Sequence, residues 1–494
     1  MTSPHADDTR ANSFATPPPE CPAHSTGAVT GRRRLYGPEA DADPMALYEL
    51  LRAEHGSVAP VLLHGDVPAW LVLGHRENEE VARTPSRFSR DSRRWLELQK
   101  GNVALDSPLL PIVAWQPMCS FVDGEEHQRL RAAVTQSMER FDGRGIRRYV
   151  NRFANQLVDT FCSDGHADLV TRFAGHLPML VMTQLLGMSE DYGPRLVEAA
   201  QDMMKGSETA IASNDYVVRT LQALVARKRA TPGKDFASWL IGNSAALTDD
   251  EAVEHLRLVL IAGYSTTANL IVNTLRMVLT DRRFRASLAG LQMTIPDALE
   301  QSLWDAPPFT AVYGRWATGD TELGGQRIKS GDMLVLCLAA GNVDPAVRPD
   351  PTVPMYGNRS HLAFSRGPHE CPGQDLGRAI ADTGIDALLT RLPDLALAVD
   401  EEELTWTPTL LSRNLDALPV TFTPRRPAQS ATPAAPWPTT PPAQRATATA
   451  TAPTRAEMPP TAPPIPLPPQ HAPQHAPQQR TPWWQALTRW LRGR

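Results

Sequence analysis

From about residue 36 to about residue 425, apolar positions recur mostly at three- and four-residue spacings, the period of helices with one buried face. The longest such run spans about Asp249 to Arg282, interrupted by Ala262-Gly-Tyr-Ser-Thr-Thr267, and another spans about Gln374 to Arg391. Consecutive apolar residues in Ala69-Trp-Leu-Val-Leu73 and Met333-Leu-Val-Leu-Cys337 predict short strands instead. The expected body is mostly helical.

The pattern fails at both ends. Residues 1–35 are polar and rich in Pro, Ser and Thr, and predict a disordered leader with no apolar core for a signal peptide. Between Pro427 and Pro482 lie 17 of the chain's 46 prolines, among Ala, Thr and Gln, with His-Ala-Pro-Gln repeated at 471–478. Such a stretch buries no core, so 426–480 reads as an extended linker with polyproline II character. Residues 481–494 regain a helical period: Thr481 suits an N-cap, Pro482 the first turn, and Trp483, Trp484, Leu487, Trp490 and Leu491 share one face. With Arg489, Arg492 and Arg494 this amphipathic helix suits an anionic membrane surface or a partner groove. Folding back on the body and remaining disordered stay open.

Composition narrows the class. A net charge of −5 gives no global sign of a nucleic-acid binder. Cys21, Cys119, Cys162, Cys337 and Cys371 are scattered and odd in number, which favours a reducing compartment over a disulfide framework. With no run of some 18 apolar residues, the chain is expected to be cytoplasmic and soluble, peripheral at the inner membrane face if its tail helix binds there.

The segment richest in chemistry is Phe364-Ser-Arg-Gly-Pro-His-Glu-Cys371-Pro-Gly373, just before the helical run at Gln374. Glycines 367 and 373 admit close backbone approaches, and Pro368 and Pro372 stiffen the loop. A cysteine at a helix start faces the positive end of the backbone dipole, which favours the thiolate and suits it as an axial ligand to haem iron. A zinc site at His369-x-Cys371 would lack a closing ligand pair. The segment resembles the haem-ligand loop of the cytochrome P-450 superfamily, F-G-x-G-x-H-x-C-x-G, with Ser365 in place of the first glycine.

That resemblance covers about residues 36–425 and implies the P-450 fold, mainly α with a small β region, binding haem b (iron protoporphyrin IX). It makes Cys371 the iron ligand and places Phe364, Gly367, His369 and Gly373 around it. Ala262-Gly263-Tyr-Ser265-Thr266-Thr267 is similar to the family's oxygen-binding groove. Thr266 falls at the proton-relay alcohol and Ser265 where an acid is usual, and a hydroxyl can pass a proton but not supply one as a carboxyl group does. His127 and Arg131, four residues apart on one helical face, fall at haem-propionate positions, as do Arg315 and His361.

The family's E-x-x-R motif aligns with Gln301-Ser-Leu-Trp304, so both charges of the usual buried pair are replaced together. This signature resembles an unusual actinobacterial P-450 branch whose members tend to be encoded beside small-GTPase operons. The implied activity is a haem-thiolate monooxygenase acting on a small apolar or natural-product substrate. Electrons would come from NAD(P)H through ferredoxin reductase and a ferredoxin docking on Arg129, Arg366 and Arg378. Substrate contacts are expected from the loop between Gly101 and Trp115 and from the helix facing the haem. The alternative is a haem-binding regulatory subunit of a membrane-proximal GTPase complex.

Overall fold

The computed structural model describes residues 32–428, except 206–208, 282–289, 291–292 and 356. The linker and the tail helix, and the membrane and GTPase contacts assigned to them, lie outside the described residues.

The apolar strand runs build one mixed sheet. Its members are β1 (Arg33–Arg34), β2 (Val58–Leu63), β3 (Val67–Val72), β4 (Phe88–Ser89), β5 (Ala311–Ala317) and β6 (Met333–Cys337). They lie in the order β1-β2-β3-β6-β5-β4. The two expected strands are neighbours, β3 and β6 running parallel with Trp70 opposite Leu334. Arg33 and Arg34 pair with Val61 and Leu62 and form ion pairs with Glu54 and Asp66, so these residues belong to the body and not to a leader ending at 35.

Seven helices position the site: α1 (His75–Arg83), α2 (Gly124–Met138), α3 (Gly143–Asp159), α4 (Leu177–Leu185), α5 (Asp249–Thr280), α6 (Ile295–Asp305) and α7 (Gln374–Arg391). A full capping box, Thr248 with Glu251, starts α5. Thr294 and Asp297 start α6 in the same way. Helix α5 is long and apolar enough to cross a membrane by composition, yet much of it is buried, in contact with α4, α6 and α7. Its apolar stretch is therefore the central helix of the largest hydrophobic core, which Leu256, Leu260, Leu270, Ile271 and Leu275 share with Leu177, Leu180, Ile380 and Leu388. Helix α7 packs against α5 near Gly377, where an added Cβ would lie at ordinary contact distance, 3.7 Å, from Thr267 Oγ1. The loop preceding α7 is thereby carried to one side of α5. A short hairpin, β7 (Trp406–Pro408) and β8 (Arg413–Leu415), contacts α5 through β8.

Candidate active site

Cys371 sits between a 3-10 turn at Gly367–His369 and the N-cap of α7 at Gly373. Its amide donates to the Phe364 carbonyl at 2.9 Å, closing the loop on itself. The Phe364 ring lies 4.5 Å beneath the Arg378 guanidinium. A Cβ on Gly373 would lie 4.0 Å from Cys371 Sγ, so this glycine keeps the sulfur's flank open. Gly367 has another purpose. Its φ is +71°, and a Cβ there would come 2.7 Å from the Ala82 carbonyl oxygen, so its missing side chain admits the end of α1.

Ser365, at the position where the family pattern has glycine, adopts φ +59°. A side chain in the left-handed region costs about 1–2 kcal/mol. Ser365→Gly is expected to raise stability by up to about 1 kcal/mol in denaturant titration, because greater freedom of the unfolded chain returns part of the relief.

The dipole argument for a spontaneous thiolate does not hold here. Burial pushes the Cys371 thiol up, against the pull of the Gly373 amide, Arg131 and Arg378. Deprotonation falls to a bound cation, which removes the proton from a coordinating thiol outright.

Beside this loop the fold gathers a buried cationic cluster. His127 and Arg131 come from α2, Arg315 from β5, and His369 from the cysteine loop. The His127 and His369 rings are 4.2 Å apart. Arg131 donates to the Glu370 carbonyl. Two members went unassigned in the sequence, Arg90 and Asp123. Asp123 is the N-cap residue of α2 but makes no cap bond. Its carboxylate instead lies 3.1 Å from His369 Nε2 and accepts from Ser89 Oγ at 2.6 Å and the Arg90 amide at 2.8 Å. An N-cap Asp with its carboxylate engaged elsewhere could be recognised only once the partners were in place.

Arg90, Arg315, His127 and His369 thus share a single carboxylate, Asp123. Burial opposes the Asp123 charge, but bonds from His369, Ser89 and the Arg90 amide hold it down to about 2. Burial, with repulsion from Arg90, pushes Arg315 down to about 9. Arg315 Nε and His127 Nε2 are buried with no hydrogen-bond partner in the protein. Burial and the neighbouring arginines lower the His127 pKa, so it offers a neutral donor, while Arg315 is a buried cation without a full partner; two further carboxylates, which a haem carries, match that charge and both donors. The residues fit the cofactor.

Across α5 lies the second half of the site. The helix is unbroken through Ala262–Thr267. Thr266 Oγ1 donates to the Ala262 carbonyl at 2.5 Å, the backward bond that hydroxyls make one turn earlier. Ala262 and Ser265 line a cavity of about 1660 Å³, together with Leu105, Leu110, Ile112, Phe121, Leu258, Ile261, Val272, Phe309 and Leu411. Gly263 faces away: its missing Cβ admits Met182 of α4, whose Cε would be 3.0 Å from it, so packing and not cofactor contact accounts for this glycine.

His255, fully buried on α5, accepts the Cys119 amide on Nε2 at 3.0 Å, with Nδ1 2.6 Å from the Glu251 carbonyl, and so braces the cavity wall at Met118–Phe121. Burial lowers its pKa, partly offset by the Glu251 carbonyl. The unfolded chain therefore takes up this proton first, and stability is expected to fall as pH drops below about 6.5. Thermal unfolding between neutral and mildly acidic pH should show the slope, to which His64, His127, His176, His361 and His369 also contribute, and His255→Gln should reduce it.

His361 is not in the cationic cluster. It is fully buried with Nε2 3.0 Å from Glu300 Oε2, because Glu300 is the nearest buried charge and satisfies it. Glu300 also pairs with Arg378 at 2.6 Å. A buried acidic residue with a cationic partner therefore does exist on α6, one position before the aligned Gln301. Gln301 accepts the Met355 amide at 2.7 Å, and Trp304 Nε1 donates to the Asn358 carbonyl at 2.9 Å. Arg378 and Arg366, expected as a docking face, have side chains only 12% exposed and are paired with Glu300 and Glu79, whereas Arg129 is 40% exposed beside Glu251.

No protein-family model matches the chain. It is 32% identical over 402 residues to the cytochrome P450 monooxygenase PikC of Streptomyces venezuelae, covering 78% of this chain and 92% of that protein. It is 29% identical to a 2-hydroxy-5-methyl-1-naphthoate 7-hydroxylase of Streptomyces carzinostaticus, over 71% of this chain and 88% of that one. The solved structure of CYP154C4 from Streptomyces sp. W2061 superposes with a TM-score of 0.71 at 28% identity, covering 79% of this chain and 97% of that one. With the cysteine loop, the cationic cluster and the helical fold in agreement, the chain belongs to the cytochrome P450 family, haem b enzymes that incorporate oxygen from O2.

Proposed function

We propose that this enzyme hydroxylates, or oxidatively couples, a small apolar or natural-product substrate in the bacterial cytoplasm, with electrons from NAD(P)H delivered by a ferredoxin and its reductase. The observation that carries the reading is a cysteine loop and a buried cationic cluster set beside a large, mostly apolar cavity. The apolar lining of that cavity suits an apolar substrate. The name of the naphthoate hydroxylase supports an aromatic member of that class.

Haem b supplies the oxygen activation, favoured by a thiolate ligand that pushes electron density to the iron. Cys371 is that ligand, with Phe364 and Gly373 flanking it. His127, Arg131, Arg315 and His369, helped by Arg90, would hold the two haem carboxylates, and Asp123 fixes the His369 ring. Ala262, on the cavity wall, would leave room beside the bound group. The Thr266 hydroxyl positions protons for the oxygen side of the reaction, with Ser265 relaying them from the cavity.

The test is turnover of the haem-loaded protein with a surrogate ferredoxin, its reductase and isotope-labelled dioxygen, across a panel of aromatic and polyketide-like compounds. Label in a product supports the reading. Haem binding with no turnover across the panel favours the regulatory subunit instead. Thr266→Ala is expected to lower product formed per NAD(P)H by about a hundredfold or more while reductant consumption continues.

A further inference from the structure

We propose that Glu300 is a positioning residue for the iron-ligand loop, holding Cys371 in place through Arg378 on one side and His361 on the other. The inference rests on the haem-thiolate reading and deepens it.

Glu300 is 4% exposed, and its carboxylate gathers several donors. Arg378 approaches it twice, Nε at 2.6 Å and Nη2 at 3.2 Å. His361 Nε2 lies at 3.0 Å, and Arg359 Nε at 3.6 Å. The tautomer of His361 is fixed from its other side: Nδ1 accepts the Ala363 amide at 3.3 Å, which leaves the hydrogen on Nε2 to donate to Glu300.

Both partners reach the cysteine. Arg378 belongs to the first turns of α7, directly after the loop, and its guanidinium covers the Phe364 ring. His361 enters the loop from the other end, its ring 5.7 Å from that of Phe364. The Phe364 carbonyl in turn accepts the Cys371 amide. One carboxylate on α6 therefore ties together the segments before and after the sulfur. Its neighbours on α6 act elsewhere, Gln301 on Met355 and Trp304 on Asn358. A plain stabilising ion pair would affect unfolding alone, whereas a positioning role predicts a change at the sulfur.

The experiment compares full-length, haem-loaded wild type with Glu300→Gln, Arg378→Gln and Gln301→Ala. Two readouts are taken: the share of thiolate-type against thiol-type absorption in the reduced carbon monoxide complex, and the rate of haem transfer to excess apomyoglobin. Glu300→Gln and Arg378→Gln are expected to move the spectrum toward the thiol type and to speed haem transfer roughly tenfold to a hundredfold, the usual effect of losing a residue that orients a metal ligand. Gln301→Ala should lower the unfolding temperature and leave both readouts unchanged. The proposal is overturned if both charge variants retain wild-type readouts, or if Gln301→Ala shifts them equally. Should Glu300→Gln fail to accumulate, Arg378→Gln decides by the same readouts. A wild type without the thiolate-type band would overturn the haem-thiolate reading itself, which is a separate failure.

Discussion

Cys371→Ala is expected to abolish the thiolate-type absorption of the reduced carbon monoxide complex and to reduce oxygen insertion below detection, while the protein remains folded. The loop does not depend on the sulfur for its shape. The bond that closes it runs between the Cys371 amide and the Phe364 carbonyl, and an alanine keeps both groups. The left-handed turn at Ser365 and the close approach of Gly367 to α1 are likewise untouched. Unfolding should therefore move by no more than about 1 kcal/mol. An unchanged spectrum in the alanine variant would remove Cys371 from the iron and with it the proposed chemistry. Collapse of the fold would show that the sulfur, and not the backbone, holds the loop.

The parts of the site that could be read in the sequence are those whose cause is local. The helix Gln374–Arg391 and the loop before it announce themselves through glycine and proline punctuation followed by an uninterrupted helical period. Helix α5 was visible in the same way, although its Gly-Tyr-Ser-Thr-Thr run leaves it continuous, since the Thr266 hydroxyl merely adds a bond to a carbonyl that stays within the helix. Glycines were harder. Gly263 and Gly367 both look like openings for a cofactor, and both are spaces for another part of the chain, Met182 in one case and the Ala82–Arg83 backbone in the other. A sequence states that a side chain is missing but not what takes its room.

Charge partners were the least legible. Glu300 lies beside the aligned Gln301, so a pattern read without coordinates passes over it, and its partner Arg378 is on another helix where it reads as a surface cation. Arg90 and Asp123 escaped for the same reason, because their meaning arises only when β4, α2 and the cysteine loop converge. The shift of Cys371 away from a free thiolate follows the same logic. The helix dipole can be inferred from position, whereas desolvation depends on everything that folds over the sulfur.

Arg315→Met should have opposite effects on the haem-free and haem-loaded protein. In the haem-free chain the guanidinium is 2% exposed, its Nε has no partner, and Nη1 reaches only the Phe88 carbonyl at 3.5 Å. Repulsion from Arg90 adds to the cost of burial. The unbranched apolar chain of methionine removes that cost and fills most of the space, so the haem-free variant is expected to be more stable. Once haem is bound, the same change takes a cation from a buried carboxylate. That loss is worth about 3–5 kcal/mol, or roughly two to four decades in haem affinity. Paired measurements decide the matter: unfolding of the haem-free proteins, and haem transfer to apomyoglobin from the loaded ones. A gain in the first with a loss in the second identifies Arg315 as a residue kept for an anion at the expense of the empty fold. Destabilisation in both would make it a structural strut, and the cationic cluster would then no longer mark where the haem carboxylates sit.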